Sequence, residues 1–295
     1  MSRHPAFRPS RRLLIGAGFG ALAGRPLAAL AGPDSSRIAA IGGTVTEILY
    51  DLGVGDRIVA VDKTSLHPPE ALRTKPNVGY LRALSAEGIL STQPTIVIAV
   101  EGAGPPDVLK LVGEARAPLV MIPEDPTEDG VAKRISKVAS VVGRDREGER
   151  LVADTARRFG ELAKLRARIG TPKRALFILS LQSGRVMAGG RNTTADGMLT
   201  LAGAQNVASA IEGYKAMTDE AIIAAQPEVV VMMERSSGPG AQTGLFESPS
   251  LSQTPAGRDK RLVSMNGLYL LGFGPRTPDA ARDLLLAMHP GLKGE

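Results

Sequence analysis

The chain has 295 residues, 43% of them hydrophobic, which is enough for one large α/β domain or two modest lobes. It contains no cysteine, so we expect neither disulfides nor a lipid-modified cysteine. The net charge of +6 is concentrated near the start, because the first 31 residues hold five arginines and no acidic residue. The rest of the chain has about as many basic as acidic residues and no clustered basic stripe, so nucleic-acid binding is not expected.

Residues 1–31 have the pattern of an export signal. Ser10-Arg-Arg-Leu-Leu-Ile15 matches the twin-arginine pattern, an apolar run follows, and Ala29-Leu-Ala31 offers a cleavage site. The apolar run is shorter than the roughly 20 residues needed to span a bilayer. We therefore expect cleavage near Ala31 and a periplasmic protein without a stable membrane anchor. Export by the twin-arginine or the general secretory route stays open, since many signals of the second kind also carry adjacent arginines.

After this segment, short β-rich runs alternate with helical patterns. The predicted strands and helices cover, in chain order, residues 37–41, 44–52, 57–61, 86–92, 95–100, 105–114 and 118–122. This alternation predicts largely parallel sheets covered by helices. Residues 127–169 instead carry apolar residues at helical spacing, and the proline-free stretch 145–169 predicts one long helix of about 37 Å.

The strand–helix pattern then begins again, with a strand over 174–179, a helix over 194–201 and an extended turn over 205–207. The segment Thr218-Asp-Glu-Ala-Ile-Ile-Ala-Ala-Gln-Pro-Glu-Val-Val-Val-Met232 repeats Ser85-Ala-Glu-Gly-Ile-Leu-Ser-Thr-Gln-Pro-Thr-Ile-Val-Ile-Ala99, 133 residues earlier. Chance similarity of two common helix–proline–strand units is the alternative explanation.

Two half-chains with the same order of strands and helices predict an α/β fold of two Rossmann-like lobes. We expect mostly parallel sheets, one long backbone helix that joins the lobes, and a ligand in the cleft between them. The predicted divisions are an N-terminal lobe over residues 32–126, a connecting helical segment over 127–170 and a C-terminal lobe over 171–295.

The segment Asn77-Val-Gly-Tyr-Leu-Arg-Ala-Leu-Ser-Ala-Glu-Gly88 places Tyr80 in a short loop, two residues from Arg82. A phenolate is an oxygen donor suited to ferric iron, and tyrosine is a known axial ligand of haem iron. A nearby arginine favours the ionised phenol. Only His67 and His289 remain outside residues 1–31, too few for a bare zinc or manganese site. A loop tyrosine that packs on its neighbours is the alternative.

These features resemble the periplasmic haem-binding proteins of ABC importers, in the helical-backbone class that also contains siderophore and cobalamin binders. The resemblance covers essentially the whole mature chain and is closest in Gly79-Tyr-Leu-Arg-Ala-Leu-Ser-Ala-Glu-Gly88 and Gly267-Leu-Tyr-Leu-Leu-Gly-Phe-Gly-Pro-Arg276. It implies that Tyr80 is the axial ligand of ferric haem and that Arg82 supports it. It also implies delivery to an ABC permease with its ATPase, and we expect a monomer. A siderophore or corrinoid carrier of the same fold is the alternative.

The resemblance also implies roles for other charged residues. Arg235, after a strand of the second lobe, is a candidate contact to the ligand or the phenolate. Arg191 and Lys63 are candidates for pairing with the haem propionates; for each cation the alternative is a solvated loop charge. The pair Glu87 and Glu220, at equivalent positions of the repeat, is expected to dock onto permease arginines. Stabilisation of a helix dipole is a compatible alternative for both glutamates.

The two histidines are expected to be surface residues, His67 in a loop before Pro68-Pro69 and His289 near the C-terminal end; a haem ligand is the alternative for His67. Some relatives that hold two stacked haems use a histidine after the first strand of the second lobe. That stretch reads Ser180-Leu-Gln-Ser183 here, so a second haem ligated in that way is not expected. The sequence has no Walker loop, His-Glu-x-x-His motif or nucleophile elbow, and we do not expect an enzyme.

Overall fold

The computed structural model describes residues 1, 34–115, 117–182, 185–234 and 244–294. The predicted export signal with its cleavage position near Ala31 (apart from Met1) and the candidate residue Arg235 therefore lie outside the described residues. The chain divides into two compact units, residues 1–31 and 32–295, and the second contains every element named below. None of the described helices is both long and apolar enough to cross a membrane.

Short strands alternate with helices along most of the second unit. The strands are β1 (Ile38–Ile41), β2 (Ile58–Val61), β3 (Gly79–Tyr80), β4 (Ala83–Leu84), β5 (Ile96–Val100), β6 (Leu119–Ile122), β7 (Arg174–Gln182), β8 (Arg185–Gly189), β9 (Gln205–Asn206), β10 (Tyr214–Met217), β11 (Val229–Met233) and β12 (Leu262–Met265). The helices are α1 (Gly43–Asp51), α2 (Glu70–Thr74), α3 (Ala86–Ser91), α4 (Pro106–Glu114), α5 (Glu128–Val141), α6 (Asp145–Arg166), α7 (Thr194–Leu201), α8 (Asp219–Ala225), α9 (Pro249–Ser252), α10 (Pro255–Arg258), α11 (Gly267–Leu271) and α12 (Thr277–Met288).

The first sheet has four parallel strands in the order β2-β1-β5-β6. Its central strands are buried on both faces, as expected for a parallel sheet covered by helices. Along β1 the side chains alternate: Ile38 packs in the hydrophobic cluster that contains Ile48 of α1, and Ile41 in the one that contains Ile89 of α3. We call this sheet with α1 to α4 the first lobe.

The second sheet has the order β10-β8-β7-β11-β12, with β9 paired to β7. The strand β11 is parallel to β7 and β12, whereas β8 is antiparallel to β7 and β10. We call this sheet with α7 to α12 the second lobe. The predicted class, a two-lobe α/β fold with mostly parallel sheets, is confirmed, and the sequence did not predict the antiparallel strands β8 and β10.

Helices α5, α6 and α12 lie between the sheets, where α6 packs against the other two. One hydrophobic cluster extends through them and joins one face of both sheets; it includes Ile96, Ile135, Phe159, Val231 and Leu284. The predicted long helix is α6, and it ends at Arg166, three residues earlier than expected. The left-handed Gly143 (φ 68°) lies in the break between α5 and α6.

The repeated segments have the same local structure in both lobes. Strands β5 and β11 begin and end at positions 133 residues apart along the chain. The preceding helices α3 and α8 are both capped by a hydroxyl, from Ser85 and Thr218. Each is followed by a glutamine in the left-handed region, Gln93 (φ 48°) and Gln226 (φ 41°), before the proline that leads into the strand. The helix–glutamine–proline–strand repeat is therefore structural.

A buried arginine connects the lobes. Arg134 of α5 is 4% exposed, and its Nη1 donates to the carbonyl oxygens of Gly272 and Phe273, both at 2.9 Å. Its Nη2 donates to the carbonyl oxygen of Pro123, after β6, at 3.0 Å. One guanidinium thereby joins the end of a first-lobe strand to the segment that follows α11 in the second lobe.

An ion pair makes a second connection. Both carboxylate oxygens of Glu47, on α1, accept hydrogen bonds from Arg276 at 3.0 and 2.8 Å, and Glu47 is almost fully buried. The hydroxyl of Thr44 donates to the carbonyl oxygen of Gly272 at 2.5 Å. The segment 267–276, one of the two that carry the resemblance, thus lies at the contact between the lobes.

We expect Arg134→Ala to lower the free energy of unfolding by about 3–4 kcal/mol, because it leaves three carbonyl oxygens without their charged donor. Urea denaturation followed by circular dichroism measures this change. The matched control is Lys133→Ala, which loses only an exposed ion pair with Asp129 and should change stability little. An equal loss in the two variants would contradict the connecting role of Arg134.

Candidate ligand-binding site

Tyr80 lies in a two-stranded hairpin. Strands β3 and β4 are antiparallel, Tyr80 is paired with Ala83, and the turn consists of Leu81 and Arg82. Gly79 has φ 111°, and a Cβ atom there would lie 2.8 Å from the carbonyl oxygen of Ala83. Only glycine fits this position without strain. The predicted short loop is therefore a hairpin that presents Tyr80.

Main-chain hydrogen bonds hold the hairpin on both sides. The Lys63 amide donates to the Gly79 carbonyl at 2.8 Å. The Gly104 amide donates to the Leu81 carbonyl at 2.9 Å, and the Gly104 carbonyl accepts from the Leu84 amide at 3.0 Å. Lys63 follows β2 and Gly104 follows β5, so the hairpin lies at the carboxyl ends of parallel strands. That edge is where open α/β sheets bind ligands.

Tyr80 differs from the other three tyrosines in its environment. Its side chain is 47% exposed, and its hydroxyl forms no hydrogen bond with any residue that the structure describes. The others are partly buried, with Tyr214 bonded to Thr194 at 3.0 Å, Tyr269 bonded to Asp283 at 2.8 Å, and Tyr50 beside Thr74. Burial and Asp283 raise the pKa of Tyr269 well above its usual range. Tyr80 is thus the tyrosine that is open to a ligand.

The second lobe reaches the same edge of the first sheet. Leu268 of α11 packs directly over Gly43, whose amide donates to the Thr64 hydroxyl at 2.9 Å. Gly267 lies against Met233, the last residue of β11. The carboxyl ends of strands from both sheets therefore converge near the hairpin, in the region where a cleft between the lobes was predicted.

Two of the four candidate cations belong to this region. Arg82 lies at the tip of the hairpin, where it is exposed and makes no ion pair within the described parts of the chain. Lys63 is also exposed, in the turn after β2, and its own main chain holds Gly79. The structure therefore places Tyr80 and Arg82 on the hairpin and Lys63 in the turn whose main chain is bonded to it.

Arg191 has a different position. It follows the end of β8, where the Gly189 carbonyl accepts from the side chain of Asn206 at 3.0 Å. Asn206 pairs with Ala175, near the amino-terminal end of β7. The main chain of Arg191 pairs with Glu212, and no hydrogen bond or ion pair among the described residues joins Arg191 to the Tyr80 hairpin. Arg191 thus lies toward the opposite end of its sheet from the carboxyl edge.

The two candidate docking residues occupy equivalent positions. Glu87 lies in the first turn of α3 and Glu220 in the first turn of α8, and both are exposed. Since α3 and α8 precede the structurally equivalent strands β5 and β11, each lobe presents one glutamate at the start of the same helix. Their role in docking stays a prediction.

The histidines are more buried than the sequence suggested. His67 is half-buried and lines a cavity of about 450 Å³ with Asp51, Arg158 and Arg276. Burial and the charge of Arg276 lower its pKa. His289 is also half-buried, and burial lowers its pKa as well. The expectation of surface histidines was wrong because contacts from distant segments cover them.

Asp51 contributes an unusual carboxylate to the same cavity. Although its side chain keeps access to solvent, partial burial and the neighbouring Glu47 raise its pKa to about 6.

Tyr80 does not line this cavity, nor a second one of about 430 Å³ beside α5 and α6. Within the described residues, no group of three or more histidine, cysteine, aspartate or glutamate side chains could hold a metal ion.

The fold and this edge geometry define a class of protein. Residues 38–267 match the family described as Periplasmic binding protein, and the chain belongs to that family. It is a substrate-binding protein of ABC importers, which implies a permease with its ATPase as partner. The family and its relatives are solute-binding proteins, so the prediction that the chain is not an enzyme is confirmed.

Several proteins resemble this chain over most of its length. A solved structure of the periplasmic heme-binding protein RhuT from Roseiflexus sp. RS-1, in apo form, is 38% identical, has a TM-score of 0.82 and covers 88% of this chain and 100% of that one. The periplasmic heme-binding protein BhuT in complex with two hemes is 35% identical, with the same TM-score and coverage. The vitamin B12-binding protein of Vibrio parahaemolyticus is 24% identical over 253 residues, 85% of this chain and 88% of that protein.

We expect Asp51→Asn to raise the melting temperature at pH 8. The folded-state pKa of about 6 lies above the ordinary value of 3.8, so the ionised carboxylate is disfavoured in the fold. Stability therefore increases as the pH falls through about 6, and the amide removes the cost at higher pH. The difference between variant and wild type should disappear near pH 4. Calorimetry across this range measures it.

Asp154→Asn, in the same cavity, is the control with opposite sign. Hydrogen bonding from Arg157 and the neighbouring Arg158 lower the pKa of Asp154, so this variant should lose stability at pH 8 and approach wild type in acid. His67 is present in both variants and cancels in the comparison. An Asp51→Asn variant that melts below wild type at pH 8 would overturn this assignment.

Proposed function

We propose that this chain binds ferric haem in the periplasm, with the Tyr80 phenolate as axial ligand of the iron, and delivers it to an ABC permease. The observation that carries this proposal is the exposed phenol of Tyr80 at the carboxyl edge of the first sheet. Its hydroxyl has no hydrogen-bond partner among the described residues, so it breaks no bond to any of them in reaching iron. The likeness to RhuT and BhuT, both named as periplasmic heme-binding proteins, supports the choice of cargo.

The surroundings of Tyr80 suit an amphipathic iron porphyrin. A phenolate is an anionic oxygen donor and a recognised axial ligand of haem. Arg82, two residues away at the hairpin tip, places an exposed positive charge near the site. Leu66, in the same loop as Lys63, is 46% exposed, and Leu268 comes from the other lobe. These two leucines supply apolar contacts for a flat hydrophobic ligand.

Cations around the site are assigned to the propionates. Lys63 and Arg82 are the first choice, because both are exposed and belong to the hairpin or its anchor. Arg235 is assigned a contact with the ligand or the phenolate on the basis of the family resemblance. Arg191 is the weakest candidate, since it lies toward the amino-terminal end of β7. The mature protein is proposed to be a periplasmic monomer released by cleavage near Ala31.

A corrinoid or siderophore carrier of the same fold is the second candidate. The 24% identity with a vitamin B12-binding protein favours it, although the identity with the heme-binding proteins is higher. Such a cargo would use the same cleft but would not need Tyr80 as an iron ligand. The phenol of Tyr80 is therefore the feature that separates the two functions.

We expect Tyr80→Phe to abolish the high-spin, tyrosinate-like visible spectrum of the ferric haem complex and to weaken binding by at least about tenfold, a loss typical for residues around a metal. Titration with ferric haem, followed by absorption and electron paramagnetic resonance, measures both. Tyr269→Phe is the control, because its phenol is already bonded to Asp283 and should leave the spectrum unchanged. Equal binding of cyanocobalamin or a ferric siderophore by wild type and Tyr80→Phe, with no haem spectrum in either, would sink the haem assignment.

We also propose that Glu87 and Glu220 dock onto the permease. In the double variant Glu87→Ala, Glu220→Ala, haem affinity should stay the same and haem transfer to vesicles that contain the permease should slow at least several-fold. Stopped-flow absorption records the transfer. The double variant Glu70→Ala, Glu128→Ala is the matched control, since both residues are exposed first-turn glutamates of other helices. If both double variants transfer haem at the wild-type rate, the docking role is wrong.

A further inference from the structure

Asp62 is a fully buried carboxylate directly after β2. Its Oδ1 accepts from the Gly42 amide at 2.8 Å and the Ser65 hydroxyl at 3.2 Å. Its Oδ2 accepts from the amide and the hydroxyl of Thr64, at 2.9 and 2.7 Å. No lysine or arginine of the described chain pairs with it. Four hydrogen bonds from neutral donors thus hold a carboxylate that is inaccessible to any ligand.

These bonds shape the turn that holds the hairpin. The Ser65 amide donates to the Asp62 carbonyl at 3.1 Å, which closes a four-residue turn with Lys63 and Thr64 at its centre. The Lys63 amide is not used inside this turn. It points outward and donates to the Gly79 carbonyl at 2.8 Å. Asp62 therefore determines where this donor lies.

The Gly79 carbonyl, which accepts this hydrogen bond, sets the direction of the Tyr80 side chain. The Gly79 carbonyl and the Tyr80 amide belong to one planar peptide group. Holding the carbonyl therefore also holds the orientation of this group, to which the Cα atom of Tyr80 is attached. Gly79, at φ 111°, has the widest conformational freedom of any residue type. Without the Lys63 donor, no other hydrogen bond from the described residues beside β2 would hold this carbonyl.

We propose that Asp62 is a positioning residue for the iron-binding phenol, acting through the turn at residues 62–65 and the hydrogen bond from the Lys63 amide to the Gly79 carbonyl. The same turn also faces the second lobe, because the Thr64 hydroxyl accepts from Gly43, over which Leu268 packs. Asp62 thus aligns the phenol with the apolar contact from the other lobe. This inference rests on the proposed haem function.

The decisive experiment compares Lys63→Pro with Lys63→Ala in the full mature chain. Both variants lose the ammonium group, but proline also lacks the N–H that donates to Gly79, and its ring takes the place of that hydrogen, so the hydrogen bond cannot form. Proline is favoured at the second position of such a turn, and neither Lys63 nor Thr64 has a positive φ, so the turn itself tolerates the substitution. Lys63→Ala also loses the proposed propionate contact, so we expect it to bind haem more weakly than wild type, and it serves as the reference for Lys63→Pro. Lys63→Pro should show a mixed or altered spin state and bind haem at least about tenfold more weakly than Lys63→Ala.

A second measurement tests the turn without haem. In Asp62→Asn, an amide replaces a group that accepts four hydrogen bonds, so at least one donor loses its partner. Amide hydrogen exchange at Lys63 should then be at least about tenfold faster than in wild type, while exchange in β1 and β5 stays slow. Unchanged exchange at Lys63 in a folded Asp62→Asn protein would overturn the proposal, as would identical haem spectra and affinities for Lys63→Pro and Lys63→Ala. Failure of the haem function itself appears separately, as a wild-type protein without a tyrosinate-like spectrum.

Discussion

The buried guanidinium of Arg134 joins a strand end of one lobe to the segment after α11 in the other, and the rest of the ligand edge depends on this connection. Its three carbonyl acceptors come from loops, where no helix or sheet pairs the main chain, and Gly272 alone of the three has a second donor in Thr44. Together with the Glu47–Arg276 pair, it holds α11 against the carboxyl end of β1. The second lobe therefore supplies Leu268 at a defined place beside the Tyr80 hairpin.

The candidate site combines a rigid main chain with exposed side chains. The hydrogen bonds from the loops after β2 and β5 to the hairpin join main-chain groups, so the phenol of Tyr80 takes no part in them. This division explains how a tyrosine can be both exposed and well placed. The charge of Arg82 is available at the hairpin tip for the same reason, and the proposed haem complex needs little rearrangement of the protein before the iron bond forms.

The sequence predicted the parts of the fold that depend on local patterns. The buried runs of β1 and β5 have no polar side chain, and the repeated Gln-Pro pairs mark helix ends whose left-handed conformation recurs in both lobes. It missed the antiparallel strands β8 and β10, because their polar and apolar residues mix without a clear period. The contact between Glu47 and Arg276 joins positions 229 residues apart, which no local pattern indicates. Tyr80 was found from its neighbours in the sequence. The role of Asp62 can be inferred only from the hydrogen-bond donors that the fold brings to its carboxylate.

The exposed tip of the hairpin has an evolutionary consequence. Leu81 packs against the hydrophobic cluster that contains Val97 and Ala99 of β5, whereas Arg82 and Ala83 are exposed, and the hydrogen bonds that hold the hairpin to its neighbouring loops use main-chain groups. Substitutions of Arg82 and Ala83 can therefore accumulate with little effect on the frame that carries Tyr80. A lineage could change which molecule its importer prefers by exchanging these two side chains, while the residues beneath them stay the same.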